Sequence, residues 1–157
     1  MKVKTHHYEK QIIEIGNTKI YNMNDPYSFQ YKFLSSNDKS GILKVVYGDN
    51  SFLFVGDCEY PGEYYLASNF YKVLKSDVLK VGHHGSITGS SEAFLKLVLP
   101  EIALISAGIK NKFNHPSEKV LENLQKINSK ILRTDHSGAV LLQSDGKEIK
   151  VINWKNN

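Results

Sequence analysis

A layered α/β protein is the fold class this sequence predicts, with mixed or antiparallel sheets flanked by helices. Three observations predict it. Paired short apolar runs around tight turns fill the first third of the chain. Short apolar runs then alternate with stretches of helical period, the pattern of strands laid against helices. No internal repeat, low-complexity tract or long linker divides the 157 residues, so they read as one domain, 1–157.

"QIIEI" (Gln11–Ile15) and "TKIYNM" (Thr18–Met23) flank Gly16-Asn17, a pair that favours a two-residue hairpin turn. "GILKVVYG" and "SFLFVG" flank Asp49-Asn50 in the same manner, a second hairpin. "NDPYSFQYKFLSSNDKS" between them is rich in turn formers and reads as a loop. "GEYYLASNFYKVLK" carries apolar residues at Tyr65, Leu66, Phe70, Val73 and Leu74, close to helical period. "DVLKV" (Asp77–Val81) is a short strand before Gly82. "SEAFLKLVL" is a helix that stops before Pro100, and "IALISAG" is a buried strand. In "HPSEKVLENLQKI", Pro116 takes the first helical position and Glu118 suits the positive end of the dipole. "KILRTD", "GAVLLQS" and "KEIKVIN" are strands, the last two joined around Asp145-Gly146.

At 41% hydrophobic and 23% charged residues, the chain has the composition of an ordinary globular domain. It is long enough to bury a core without staples. A net charge of +4 permits a polyanionic partner without arguing for one, because the lysines are scattered over a solvated surface. Cys58 is the only cysteine, so no internal disulfide forms. "MKVKTHHYEKQIIEIG" lacks the apolar core of a signal peptide. No run approaches the roughly 20 apolar residues of a transmembrane segment, and a soluble chain is expected.

Four places carry candidate chemistry. In "SFLFVGDCEYPGE", Asp57 follows an apolar strand and a glycine, so it either presents a carboxylate to a metal or opens a turn. "DVLKVGHHGS" repeats the arrangement one strand later with His83 and His84, whose imidazoles suit zinc and similar ions. Ser86 either holds a phosphate oxygen or caps the following turn. In "NKFNHPSEK", His115 at a helix start orients a phosphate, donates a proton to a leaving group, or serves as an N-cap. For Asp135 and His136 in "RTDHSGAV" the turn reading is favoured. His6 and His7 are assigned no role.

Taken in order, "GILKVVYGDNSFLFVGDCE", "SDVLKVGHHGSITGSSEAFLKLVLPEIALISAG", "NHPSEKVLENLQ" and "ILRTDHSGAVLL" resemble the metallo-β-lactamase-fold domain of the ComEC family, membrane proteins of competence associated with DNA uptake. The resemblance runs from about Lys2 to Ile152. It implies a four-layer αββα sandwich, of which this chain supplies half to two-thirds, with zinc or manganese held at the edge between two sheets. It implies Asp57 as a bridging ligand and His84 or His83 as a late histidine ligand, with His84 preferred by register. "NDKS" (Asn37–Ser40) resembles an Asn-x-x-Ser segment of the family, and His115 matches a histidine-proline pair beside the cleft. Asp57, His84 and His115 are then the catalytic set, with Ser86, His115, Asn37 and Ser40 on the substrate side. The implied activity is metal-dependent hydrolysis of a phosphodiester, in DNA, by a metal-bound hydroxide.

One departure is large. The family's early His-x-His-x-Asp-His motif is absent, and "THHYEK" has neither its spacing nor a preceding apolar strand. The chain is therefore expected to lack the N-terminal part of the domain and to fall short of the about three or four protein ligands of a catalytic zinc site. Weak metal affinity and little or no hydrolase activity are expected of the isolated chain. A half sandwich exposes an apolar sheet face, so self-association or a complementary N-terminal half is expected to cover it. The rival expectation is a non-catalytic nucleic-acid-binding or protein-interaction module that kept the fold and lost the metal. The chain carries no address of its own; its relatives by resemblance are membrane-embedded.

Overall fold

The computed structural model describes residues 12–152; Gln11, His6 and His7 lie outside them. Seven strands form one sheet whose spatial order equals the chain order: β1 Ile12–Ile15, β2 Thr18–Asn22, β3 Leu43–Tyr47, β4 Asn50–Phe54, β5 Val78–Lys80, β6 Ile102–Ile105 and β7 Lys130–Arg133. The first four run antiparallel, and from β4 onward every pair is parallel. The switch follows from the connections. Tight turns join β1 to β2 and β3 to β4, whereas a parallel neighbour needs a crossover. Helices supply it: α2 Tyr60–Phe70 between β4 and β5, α3 Glu92–Val98 between β5 and β6, and α4 Glu118–Lys126 between β6 and β7. The predicted mixed sheet flanked by helices is the fold observed.

One sheet face is covered over β4, β5 and β6, whereas at β1 the same face is open, Ile12 being 49% exposed. Leu53, Leu79 and Ala103 are in register across β4, β5 and β6 and each is 0% exposed. Against them pack Leu66 of α2, Leu95 and Val98 of α3, and Val120 and Leu124 of α4. Each fully buried Leu or Val contributes about 1.5–3 kcal/mol relative to exposure, so this layer holds the strand ends in place. The opposite face is only partly covered: the cross-strand pair Leu43 and Phe54 is 39% and 40% exposed.

Several boundaries differ from the sequence reading. The β3–β4 turn is Gly48-Asp49 rather than Asp49-Asn50, because Asn50 pairs with Tyr47. Its side chain accepts from the Ser144 hydroxyl (2.7 Å) and donates to the Lys147 carbonyl (3.3 Å). Those bonds dock a separate hairpin of β8 Leu141–Ser144 and β9 Ile149–Ile152. The expected loop before β3 contains a short helix, α1 Phe29–Lys32, capped by the Ser28 hydroxyl accepting from Tyr31 N–H. Helix α2 begins two residues earlier than Gly62, with Pro61 in its first turn, and ends at Phe70 before a 3₁₀ turn at Tyr71–Val73. Pro116 is not the first residue of α4. Ser117 caps that helix by accepting from Val120 N–H, a hydroxyl being a better cap than a residue with no donor or acceptor side chain. "KILRTD" is strand only to Arg133, after which Thr134–Ser137 forms a short helix, α5. No helix among the described residues is long and apolar enough to cross a membrane.

Candidate functional site

Parallel strands β4, β5 and β6 end at one edge of the sheet, where open α/β sheets hold their ligands. The segment after β4 is Val55-Gly56-Asp57, and that after β5 is Val81-Gly82-His83-His84. Gly56 sits at φ +54, and a Cβ there would meet Ser40 Cβ at 2.4 Å. The strap carrying Ser40 therefore closes onto this turn, and the Ser40 hydroxyl accepts from Asp57 N–H at 3.0 Å. His83 and His84 both occupy the left-handed region, at φ 44 and φ 57. That conformation costs a non-glycine residue about 1–2 kcal/mol; the two adjacent imidazoles stand edge-on, centroids 6.3 Å apart, and bond to different partners. The turn is held by His83 N–H to Gly56 carbonyl (3.1 Å) and Ser86 N–H to His83 carbonyl (2.9 Å).

His84 Nδ1 lies 2.7 Å from the Ser106 carbonyl, beyond the end of β6. A carbonyl can only accept, so Nδ1 carries a proton, and in the neutral ring the lone pair is on Nε2. Nε2 faces Asp57 Oδ1 at 3.8 Å, with both side chains about half exposed. His83 takes a different partner: its Nδ1 meets Glu59 Oε1 at 3.2 Å, and its ring stands edge-on to His115 with centroids 5.8 Å apart. Glu59 Oε1 also accepts from the Thr88 hydroxyl at 2.5 Å. His115 stacks on Phe113, at 5.7 Å and 19° between planes. Asn111 clamps the His115 backbone, accepting from its N–H at 2.9 Å and donating to its carbonyl at 2.6 Å. Burial, with help from His83 and His84, holds the His115 pKa below its ordinary value. His115 precedes the α4 cap and is not the cap itself.

The other candidates divide. Ser86 is 5% exposed and its hydroxyl is shared with the Thr88 hydroxyl at 2.9 Å, the turn-capping arrangement. Asn37 supplies a carbonyl to Ser40 N–H inside the strap. Asp135 is held by Arg133 through two bonds, 3.1 and 2.7 Å, and lies in α5. The Cys58 thiol is 1% exposed, and burial, backed by Glu63, Asp38 and Glu59, pushes its pKa up, away from a ligating thiolate.

Sequence reasoning missed three carboxylates that build this edge. Asp38 is 1% exposed and accepts from Glu59 N–H (2.9 Å), Gly62 N–H (3.0 Å) and the Ser35 hydroxyl (2.7 Å). It fastens the strap to the start of α2. Glu63, 4% exposed, accepts from Ser90 N–H and Ser91 N–H, and burial holds its pKa above the ordinary carboxylate value. Glu59 stood two residues after Asp57 in a block already singled out; its spacing alone was the available signal. Lys80, just before the histidine turn, has its pKa lowered by burial, with the Asp57 charge opposing.

Asp57 and His84 present two donors of kinds that fit zinc or manganese. Among the described residues, no three His, Cys, Asp or Glu groups converge to hold a metal by themselves. The pair thus offers two donors without a third, and His83 is committed to Glu59.

Residues 34–109 match the metallo-β-lactamase superfamily. That stretch includes Asp38, Ser40, Asp57, Glu59, His83 and His84, and stops short of His115. The chain is 42% identical over 106 residues to ComE operon protein 3 of Bacillus subtilis, covering 68% of this chain and 14% of that protein. It is 43% identical over 109 residues to competence protein ComA of Neisseria gonorrhoeae, covering 69% and 16%. It is 40% identical over 106 residues to recombination protein 2 of Haemophilus influenzae, covering 68% and 13%. The match thus spans 13–16% of the length of these relatives.

Proposed function

The chain belongs to the ComEC-type metallo-β-lactamase family, and from that premise we propose that it forms one side of a metal-dependent phosphodiesterase site acting on DNA. The observation that carries this reading is the meeting of His84 Nε2 and Asp57 Oδ1, 3.8 Å apart, with the His84 tautomer fixed by Ser106. Asp57 and His84 would hold a divalent ion, zinc or manganese. Such an ion supplies charge stabilisation at phosphorus and an activated water. The remaining donors come from another polypeptide segment, or from a second copy, docked against the partly open sheet face. Alone, the chain has weak metal affinity and little hydrolase activity.

The chain's own residues prepare the rest. Glu59 holds His83 at Nδ1, and the His83 ring stands edge-on to His115. Between them, His83 and His115 offer two imidazoles to the oxygens of a phosphate. His115, biased toward its neutral form by burial and its histidine neighbours, suits acceptance of a hydrogen bond or proton more than it suits fixed positive charge. Lys80 stands near Asp57 with its ammonium group donating to the Val81 carbonyl at 2.8 Å.

The test is hydrolysis of a labelled DNA strand and of bis(p-nitrophenyl) phosphate by the chain with added Mn²⁺ or Zn²⁺, alone and with a complementary N-terminal segment of a relative. Activity that rises on adding the segment and vanishes in Asp57→Ala and His84→Ala supports the proposal. Partner binding that survives both substitutions, with no hydrolysis under any condition, favours instead the non-catalytic binding module.

A further inference from the structure

Beside the strap that carries Ser40, a cleft of about 410 Å³ opens between α1 and α2. Its walls are the rings of Phe29, Phe33, Tyr64 and Tyr65, with Leu34 and Pro61. Three of those rings are turned outward: Phe29, Phe33 and Tyr64 are 75%, 74% and 73% exposed. Phe29 and Phe33 stand edge to face, centroids 4.9 Å apart, which leaves ring faces open to a flat third partner. Such a cluster of exposed aromatics is a marker of binding, because water gains nothing from it.

The charges around the cleft say which kind of partner. On α1, the strap (residues 33–41) and α2, both carboxylates are buried and spent on backbone N–H groups, Asp38 at Glu59 and Gly62, Glu63 at Ser90 and Ser91, while Asp25, ahead of α1, puts one carboxylate near the Tyr65 hydroxyl. The exposed charges on these three segments are the ammonium groups of Lys32 and Lys39. Lys39 is pinned across α1 by its bond to the Lys32 carbonyl (3.0 Å) and lies 5.9 Å above the Tyr31 ring. Flat apolar faces beside two lysines, of which Lys39 is held in place, match a single-stranded polynucleotide, whose bases stack while its phosphates meet the lysines. A duplex hides its base faces and would gain only the charge.

Both walls of the cleft are linked along the chain to residues that hold the site already described. Leu34, in its wall, precedes Ser40 by six residues, and Ser40 holds Asp57. Pro61, in the other wall, follows Glu59, which holds His83. We propose that this cleft is a nucleobase-binding subsite, and that the nucleic acid handled at the Asp57–His84 edge is a single strand whose bases a few nucleotides away stack on Phe29, Phe33 and Tyr64. The proposal deepens the phosphodiesterase reading and rests on it for the role of the edge.

The experiment is fluorescence anisotropy of a labelled oligothymidine and of a duplex of equal length, titrated with the full chain in EDTA. The single strand is expected to bind tighter than the duplex. Phe33→Ala and Tyr64→Ala, exposed positions that leave the core intact, are each expected to weaken single-strand binding by about tenfold and duplex binding hardly at all. Lys32→Gln with Lys39→Gln is expected to flatten the salt dependence. Because the titration is made in EDTA, it reads the subsite without any metal, so single-strand binding with no hydrolysis in the metal-supplemented assay keeps the subsite and sinks only the hydrolase reading. Equal affinity for duplex, unchanged affinity in the aromatic variants, or no single-strand binding overturns the proposal. So does loss of self-association, and not of DNA binding, in the aromatic variants, which would give the cleft to a second copy.

Discussion

His84 Nε2 faces Asp57 Oδ1 across 3.8 Å, and the Ser106 carbonyl, 2.7 Å from His84 Nδ1, decides which nitrogen does the facing. Three consecutive parallel strands contribute one group each: β4 leads to the carboxylate, β5 to the imidazole and β6 to the carbonyl that orients it. The left-handed turn at His83 and His84 makes the arrangement possible, because in an extended backbone the second imidazole would not swing back over Asp57. His83, its neighbour, is sent to Glu59 instead.

Glu59 joins two segments, accepting from His83 Nδ1 and from the Thr88 hydroxyl at one oxygen. Glu59→Gln keeps the shape and weakens both bonds. Urea denaturation is expected to show a loss of about 1–2 kcal/mol. Metal uptake is expected to be unchanged, since neither Asp57 nor His84 touches Glu59.

Gly85 closes the histidine turn at φ +82, and a Cβ there would lie 2.5 Å from Pro116 Cβ and 3.1 Å from Pro116 Cα. Ser117 N–H donates to the Gly85 carbonyl at 2.8 Å, so the turn cannot move off without breaking the start of α4. Gly85→Ala is expected to cost about 2–4 kcal/mol by the same denaturation measurement. Gly41→Ala, with nothing within 4 Å of the added carbon, is the matched control and is expected to change stability far less.

Glu92 joins α3 to α4 through Lys96 (2.7 Å) and Lys126 (3.1 Å), and hydrogen bonds to these two ammonium groups pull its pKa down to about 2. A carboxylate with a depressed folded pKa stabilises the fold above its unfolded value and loses that contribution as pH falls toward the folded one. The melting temperature of Glu92→Gln is expected to lie below that of the parent at neutral pH and to converge with it as pH falls from the ordinary carboxylate range toward 2. A difference that persists unchanged to low pH contradicts the pairing.

Leu43 and Phe54 form an exposed apolar pair on the partly covered sheet face. Light scattering across a concentration series is expected to show reversible self-association of the chain. Leu43→Glu with Phe54→Lys is expected to shift it toward monomer without unfolding, and a monomer at every concentration for the parent contradicts this use of the face.

Much of the fold was legible because its signals are local. The Gly16-Asn17 turn, the apolar runs of β5 and β6 and the amphipathic face of α4 each follow from period and turn chemistry within a dozen or so residues. What was not legible depends on distant partners. Asn50 enters its strand because Ser144 and Lys147 take its amide. Pro116 yields the start of α4 to Ser117, which has a hydroxyl to offer. Asp38 reads as an ordinary turn carboxylate until the fold brings Glu59 and Gly62 N–H to it. The pair His83-His84 was visible as chemistry, but a sequence cannot say that two neighbours in left-handed conformations point to different carboxylates.

The most direct measurement is calorimetric titration of Mn²⁺ and Zn²⁺ into the chain and into Asp57→Ala and His84→Ala, with metal content of the purified protein by elemental analysis. The expected result is weak, saturable binding to the parent that falls at least about tenfold in either variant, with both variants folded. Tight stoichiometric metal that survives both substitutions would place the ion elsewhere and contradict the Asp57–His84 edge as its site.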